Sequence, residues 1–245
     1  MTVASLAMYP YDQLRPSWDQ LWDAVRSRLS FDAPALDWEL DPDVAALRDD
    51  LVLGQTCGWP LATAMRSAVH VVGTFDCDVE GDDDGSYRSV VVSPIDASLD
   101  DIFSRADLRV AVNSVDSLSG WISLRSVAAA HHVTVDNVEW TGAHADSIVA
   151  LQDGRCQLAS IDAVSWAHLA PRGLFIVGHG PRIPCLPLVT ARSSGLGVRD
   201  ELRSCIGGAV ADASLAEVCA TLKIRRFIER DLADYKGVTQ LVELT

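Results

Sequence analysis

The chain has 245 residues, 49% of them hydrophobic, and a formal net charge of −14. Lys223 and Lys236 are its only lysines and no basic stripe forms, which speaks against nucleic acid or an anionic membrane surface as a partner. No stretch approaches the roughly 20 apolar residues of a spanning helix, so membrane insertion is not expected.

A chain of this length can bury a large core, as one domain or as two small ones. Cys57, Cys77, Cys156, Cys185, Cys205 and Cys219 form no C-x-x-C pair, so neither a zinc ribbon nor a disulfide scaffold is indicated. The first ten residues, Met1 to Pro10, lack a basic n-region and a long apolar run and do not read as a secretory signal. The chain as written is therefore expected in the cytoplasm. A trimmed form would belong to the periplasm or cell surface.

In chain order, Val3 to Met8 reads as an apolar strand ended by Tyr9-Pro10-Tyr11. Trp18, Leu21, Trp22, Val25 and Leu29 mark an amphipathic helix. Leu36 to Leu40 reads as a weak strand, and Asp43 to Arg48 as a short helix behind Pro42. Leu51 to Thr56 is again strand-like, and Cys57-Gly58-Trp59-Pro60 opens the next helix. Val69 to Phe75 and Tyr87 to Ser93 read as strands. Between them Glu80 to Ser86 carries four acids; it lacks the spacing and closing glutamate of a calcium loop and reads as a solvated hairpin tip.

Leu108 to Val112 is a short buried strand. It runs into the polar loop Asn113-Ser114-Val115-Asp116-Ser117-Leu118-Ser119-Gly120, and Ile122, Leu124, Val127 and Ala128 then recur at helical spacing. The arrangement repeats: Val138-Glu139-Trp140 is strand-like, Thr141-Gly142-Ala143-His144 is a turn, and Ala145 to Leu151 is helical. Two such units in succession predict adjacent parallel strands of an α/β sheet. Gln157 to Asp162 reads as a strand ending on an acid. Leu174 to Gly180 leads through Pro181, Pro184 and Pro187 to the apolar Leu188-Val189-Thr190. Leu196 to Ala211, Leu215 to Leu222 and Tyr235 to Leu244 read as helices.

A strand, a Ser/Gly loop and a helix start leave backbone N–H groups without partners. The helix dipole adds a partial positive charge there, and serine hydroxyls can turn their protons to the same point. The product is an anion site that needs no basic side chain. The plainer reading is an ordinary cap, with Ser117 or Ser119 closing the helix start. His144, at a helix N-terminus, is expected to be neutral without a ligand. His131 and His132 are adjacent, face different ways on a helix, and make a poor metal pair.

The runs Asn113 to Trp121, Thr141 to Ser147, Ala159 to Trp166 and Gln55 to Leu61 resemble the phosphonate-binding branch of the type II periplasmic binding proteins, in order and spacing, over about residues 3 to 240. That resemblance implies a two-lobed α/β fold with a ligand cleft between the lobes. Residues 1–93 plus 188–245 would form lobe I, and 94–187 lobe II. In the resembled family the Ser-x-Ser-Gly loop and the turn histidine hold the phosphonate, which falls here on Ser117, Ser119 and His144. Gly120 would let backbone approach the ligand. Tyr9, Cys57, Gly58, Thr141 and Asp162 complete the candidate contacts.

The implied role is that of a solute-binding protein for a small oxyanion such as phosphate or a phosphonate. It would have an ABC-transporter permease as partner, no cofactor, no metal and no catalytic residue. Family members that take aminoalkylphosphonates hold the ammonium with acids, one of them near the proline-rich return. Here that segment is Ile183-Pro184-Cys185-Leu186-Pro187, so a ligand without an amine fits better. The alternative is a cytoplasmic lyase or biosynthetic enzyme on the same fold, with Cys57, His144 and Asp162 as nucleophile and acid/base pair. No G-x-S-x-G, H-E-x-x-H or phosphate-binding lysine loop supports that alternative.

Overall fold

The structure, a computed structural model, describes residues 2–79 and 83–243. Of the acidic turn anticipated at Glu80 to Ser86, Glu80, Gly81 and Asp82 lie outside the described residues, as does Leu244 of the last predicted helix. Among the described residues there are ten strands: β1 (Val3–Ser5), β2 (Leu51–Gln55), β3 (Val69–Cys77), β4 (Ser86–Ser93), β5 (Val110–Val112), β6 (Val138–Trp140), β7 (Leu158–Ile161), β8 (Phe175–Pro184), β9 (Pro187–Ala191) and β10 (Ile224–Glu229). They form two five-stranded sheets, and the chain divides into two compact units.

The first unit runs to Asp78 and resumes at Pro184–Lys236, with strand order β1-β2-β9-β3-β10. β1 and β2 are parallel, and the remaining pairs are antiparallel. The helix Arg15–Arg26 buries Trp18, Leu21, Trp22 and Val25, the stripe expected from their spacing, and packs on the helix Gly195–Val210. Leu36 to Leu40 makes only an isolated bridge, Leu36 to Ala4, in place of the expected strand. The reason is local: the Asp37 carboxylate accepts from the N–H groups of Glu39 and Leu40, both at 3.0 Å, and turns the chain. β10 was not foreseen. Its adjacent Arg225 and Arg226 interrupt any apolar alternation, yet both reach the buried Asp76 on the neighbouring β3, at 3.2 and 2.8 Å.

The second unit comprises Ser86–Ile183 and the C-terminal helix Gly237–Glu243, with strand order β6-β5-β7-β4-β8. Here the expected parallel neighbours are found: β5 pairs parallel with β6 on one side and with β7 on the other. β5 is short and wholly apolar because both of its faces are covered. Val110 and Val112 pack with Leu124, Val127 and Ala128 of the helix Ser123–Ala130. Ala111 faces the other way, onto Ile148 and Leu151 of the helix His144–Gln152.

The boundaries differ from the sequence reading at β4 and at the C-terminal helix: residues 86–93 and 237–243 belong to the second unit, not to lobe I, and the return falls at Pro184, four residues before 188. β3 and β4 look like the arms of a hairpin, which put residues 1–93 together. In the structure they belong to different sheets: β3 pairs with β9 and β10, and β4 with β7. The run Val90-Val91-Val92 is 0–3% exposed, so β4 needs a sheet neighbour and a cover on both sides, and β7 supplies the neighbour. The chain therefore changes unit before β4, and it returns at Pro184.

Leu124 is fully buried beneath β5. Leu124→Ala should cost about 2–5 kcal/mol, and Val149→Ala on the exposed face of its helix less than about 0.5 kcal/mol. Urea denaturation of the two variants beside the wild type measures both; equal midpoints would contradict the core assignment.

Candidate functional site

Because β5, β6 and β7 are parallel, their carboxyl ends emerge on one edge of the second sheet. Each is followed by a polar turn and a helix, and binding sites of open α/β sheets form at such edges.

After β5, the Ser117 hydroxyl accepts the N–H of Gly120 at 2.9 Å. The chain then enters one π-helical turn, Leu118–Ile122, closed by the Ile122 N–H on the Ser117 carbonyl at 3.0 Å, and continues as the helix Ser123–Ala130. Ser117 is thus a cap, the plainer of its two readings. The Ser160 hydroxyl of β7 donates to the Ser119 carbonyl at 2.7 Å and fixes this turn from below.

After β6, the Thr141 N–H bonds to the Val112 carbonyl at 2.8 Å, and its hydroxyl lies 2.6 Å from the Ser147 hydroxyl. Gly142 stands at φ 90°, a conformation that glycine adopts without strain. Thr141 and Gly142 therefore shape the turn that aims His144. The two turns meet at the Ser119 hydroxyl and Nε2 of His144, 3.0 Å apart.

Burial pushes the His144 imidazole below its ordinary pKa, and the carboxylate of Asp162 offsets part of that shift. The direction agrees with the sequence expectation of a neutral ring; the leading cause is burial. Nδ1 of His144 is buried with no hydrogen-bond partner among the described residues. After β7, Asp162 accepts the N–H of Ser165 at 2.9 Å as the cap of the helix Ala163–Leu169, and the hydroxyl of Tyr87 at 2.5 Å. It is 2% exposed.

Of the residues singled out from the sequence, Ser117, Ser119, Gly120, Thr141, His144 and Asp162 gather at this edge. Tyr9, Cys57 and Gly58 belong to the other unit. There Tyr9 is buried in the turn after β1, and Cys57, half-buried, precedes the helix Gly58–Ala62 after β2, the parallel neighbour of β1. Three participants went unnoticed as site residues: Tyr87, Ser160 and Asn113. Tyr87 and Ser160 act across strands, at separations that local pattern does not register. Asn113 is marked only by its place at the end of β5. Its Oδ1 is buried, unpaired among the described residues, and 1.9 Å from where a Cβ on residue 120 would sit. The space beside Gly120 is thus taken by the Asn113 amide from within the loop. Among the described residues, no group of three or more His, Cys, Asp or Glu could hold a metal ion.

Residues 48–235 match the family described as the periplasmic phosphonate substrate-binding proteins of ABC transporters. No curated protein matches the chain. Among solved structures, PhnD1 from Prochlorococcus marinus in complex with methylphosphonate superposes with a TM-score of 0.79 at 16% identity, over 99% of this chain and 97% of that one. A binding-protein component of an ABC phosphonate transporter from Pseudomonas aeruginosa gives 0.76 at 17% identity, over 98% and 84%. A Xanthomonas citri protein bound to ATP gives 0.68 at 13% identity, over 100% and 96%. At such identities the likeness is one of fold, and since two of these like folds hold methylphosphonate and ATP, the ligand is left to be argued from the site.

A histidine whose pKa is lower folded than unfolded binds less proton in the native state, so stability is lost as pH falls below the unfolded value of about 6.5. His144→Gln should lessen that loss in the ligand-free protein. Thermal unfolding from pH 8 to pH 5 for both proteins measures it; identical profiles would contradict a buried neutral imidazole.

Proposed function

The chain belongs to the family of periplasmic phosphonate substrate-binding proteins of ABC transporters, and from that premise we propose that it captures a small oxyanion, phosphate or a simple phosphonate, at the edge where the turns after β5 and β6 meet. The observation that carries this reading is the 3.0 Å approach of the Ser119 hydroxyl to Nε2 of His144. It joins two helix starts, the source of dipole and N–H groups that favour an anion. With the proton on Nε2, His144 donates to Ser119, and the serine hydroxyl keeps its own proton for the ligand. Ser117, Thr141 and Ser160 hold the turns in shape. A net charge of −14 does not oppose this, because exposed charges beyond a Debye length are largely screened.

Asp162 already serves a backbone N–H and the Tyr87 hydroxyl. That arrangement supports a ligand without an ammonium group, as the sequence of the proline-rich return suggests. The enzyme reading is not favoured, because the family that the chain matches is one of substrate-binding proteins. In the proposed role the protein passes its ligand to an ABC permease on the periplasmic side, the setting expected of a trimmed form.

Calorimetric titration with methylphosphonate and with inorganic phosphate tests the proposal. Ser119→Ala should weaken binding by about 1.5–3 kcal/mol, roughly 10- to 150-fold, the value of a hydrogen bond to a charged group. Failure of the wild type to bind either anion, or an unchanged affinity in Ser119→Ala, would overturn it.

A further inference from the structure

We propose, resting on the anion site described above, that Asn113 is a further ligand-contact residue whose amide oxygen accepts a hydrogen carried by the bound oxyanion, so that the site selects hydroxyl-bearing oxyanions over those without one. The favoured class is hydrogen phosphate and phosphonates retaining one P–OH; the disfavoured class is sulfate and sulfonates.

Three observations carry this. First, Oδ1 of Asn113 is buried and has no donor among the described residues. A buried acceptor left this way opposes folding unless something supplies a donor. Second, the position is built for it. A Cβ on residue 120 would stand 1.9 Å from Oδ1 and 2.9 Å from the Ser117 hydroxyl, so any side chain there would evict the amide. The hydrogen that replaces Cβ on Gly120 points at the same atom. That contact suits an oxygen, as a weak C–H donor to an acceptor, and would set hydrogen against hydrogen if the amide nitrogen stood there. Third, the neighbouring hydroxyls have partners of their own. The Ser117 oxygen accepts from the Gly120 N–H, and Ser119 is paired with His144.

A fully deprotonated oxyanion brings acceptors alone. It would press an oxygen toward Oδ1 and leave that atom without a donor. An oxyanion with one O–H supplies the missing hydrogen while its remaining oxygens take the Ser119 proton and the helix-start N–H groups. Gly120 acts through Asn113: its lack of a side chain is what admits the acceptor.

The test is a calorimetric series at pH 6 with inorganic phosphate, methylphosphonate, sulfate and methanesulfonate. The wild type should bind the first two at least about tenfold more tightly, the worth of one hydrogen bond. Asn113→Ala should erase that preference. Gly120→Ala, which displaces the amide while leaving Asn113 in the sequence, should erase it too. Asn113→Asp keeps an acceptor oxygen and the side-chain volume; it should bind more weakly yet keep the preference. A wild type that binds sulfate as tightly as phosphate would overturn the assignment. So would an Asn113→Ala or Gly120→Ala variant that retains the full preference. Ser119→Ala separates this from the underlying reading, since it should weaken all the anions alike. If Ser119→Ala does so while Asn113→Ala changes nothing, the anion site stands and the role of Asn113 falls. If the wild type binds none of the four, both fall.

Discussion

The second unit depends on the burial of one three-residue strand, β5. Val110 and Val112 pack under one helix and Ala111 under another, so the strand has no solvent face. Such a strand is stable only between neighbours, and here both are parallel to it. Parallel pairing has a consequence that antiparallel pairing lacks. It delivers three carboxyl ends, and with them three polar turns and three helix starts, to the same edge. The site is the geometric residue of that packing: each turn was obliged to leave the sheet there, and each helix start brought unpaired donors with it.

Side-chain hydrogen bonds hold the turns in shape. Ser117 caps, Thr141 ties its turn to the Val112 carbonyl, Ser160 reaches from β7 to the Ser119 carbonyl, and Tyr87 holds Asp162. Such support is what makes a small polar site selective, because a ligand's oxygens then meet fixed donors in place of mobile ones. Among the described residues, Nδ1 of His144 and Oδ1 of Asn113 are left unpaired in these two turns.

Burial also explains the chemistry of the histidine. The helix dipole and the loss of water both disfavour a charged ring, and loss of water leads. A neutral ring can both donate and accept, which a doubly protonated one cannot, so either partner of the Ser119 to His144 pair can supply its proton.

How much was legible in the sequence follows from the range of the forces involved. The run Leu108 to Val112, the Ser/Gly loop, the Thr141 to His144 turn and the cap at Asp162 are local, and each could be read from residues within one turn of each other. The parallel relation of β5 and β6 followed from the repetition of strand, turn and helix. The four family-like runs carried the type II binding-protein fold. The sequence did not determine that β4 leaves β3 for β7, because a turn between two apolar runs looks the same whether or not the runs pair. It did not reveal β10, whose arginines have meaning only opposite Asp76. Nor did it show why residue 120 is glycine: a missing Cβ is visible in any sequence, but the atom that needs the space, Oδ1 of Asn113, is brought there by the tertiary fold of the loop. Local propensity fixed the elements and the kind of edge they would share; long-range packing decided which atoms on that edge are paired with one another and which, among the described residues, are not.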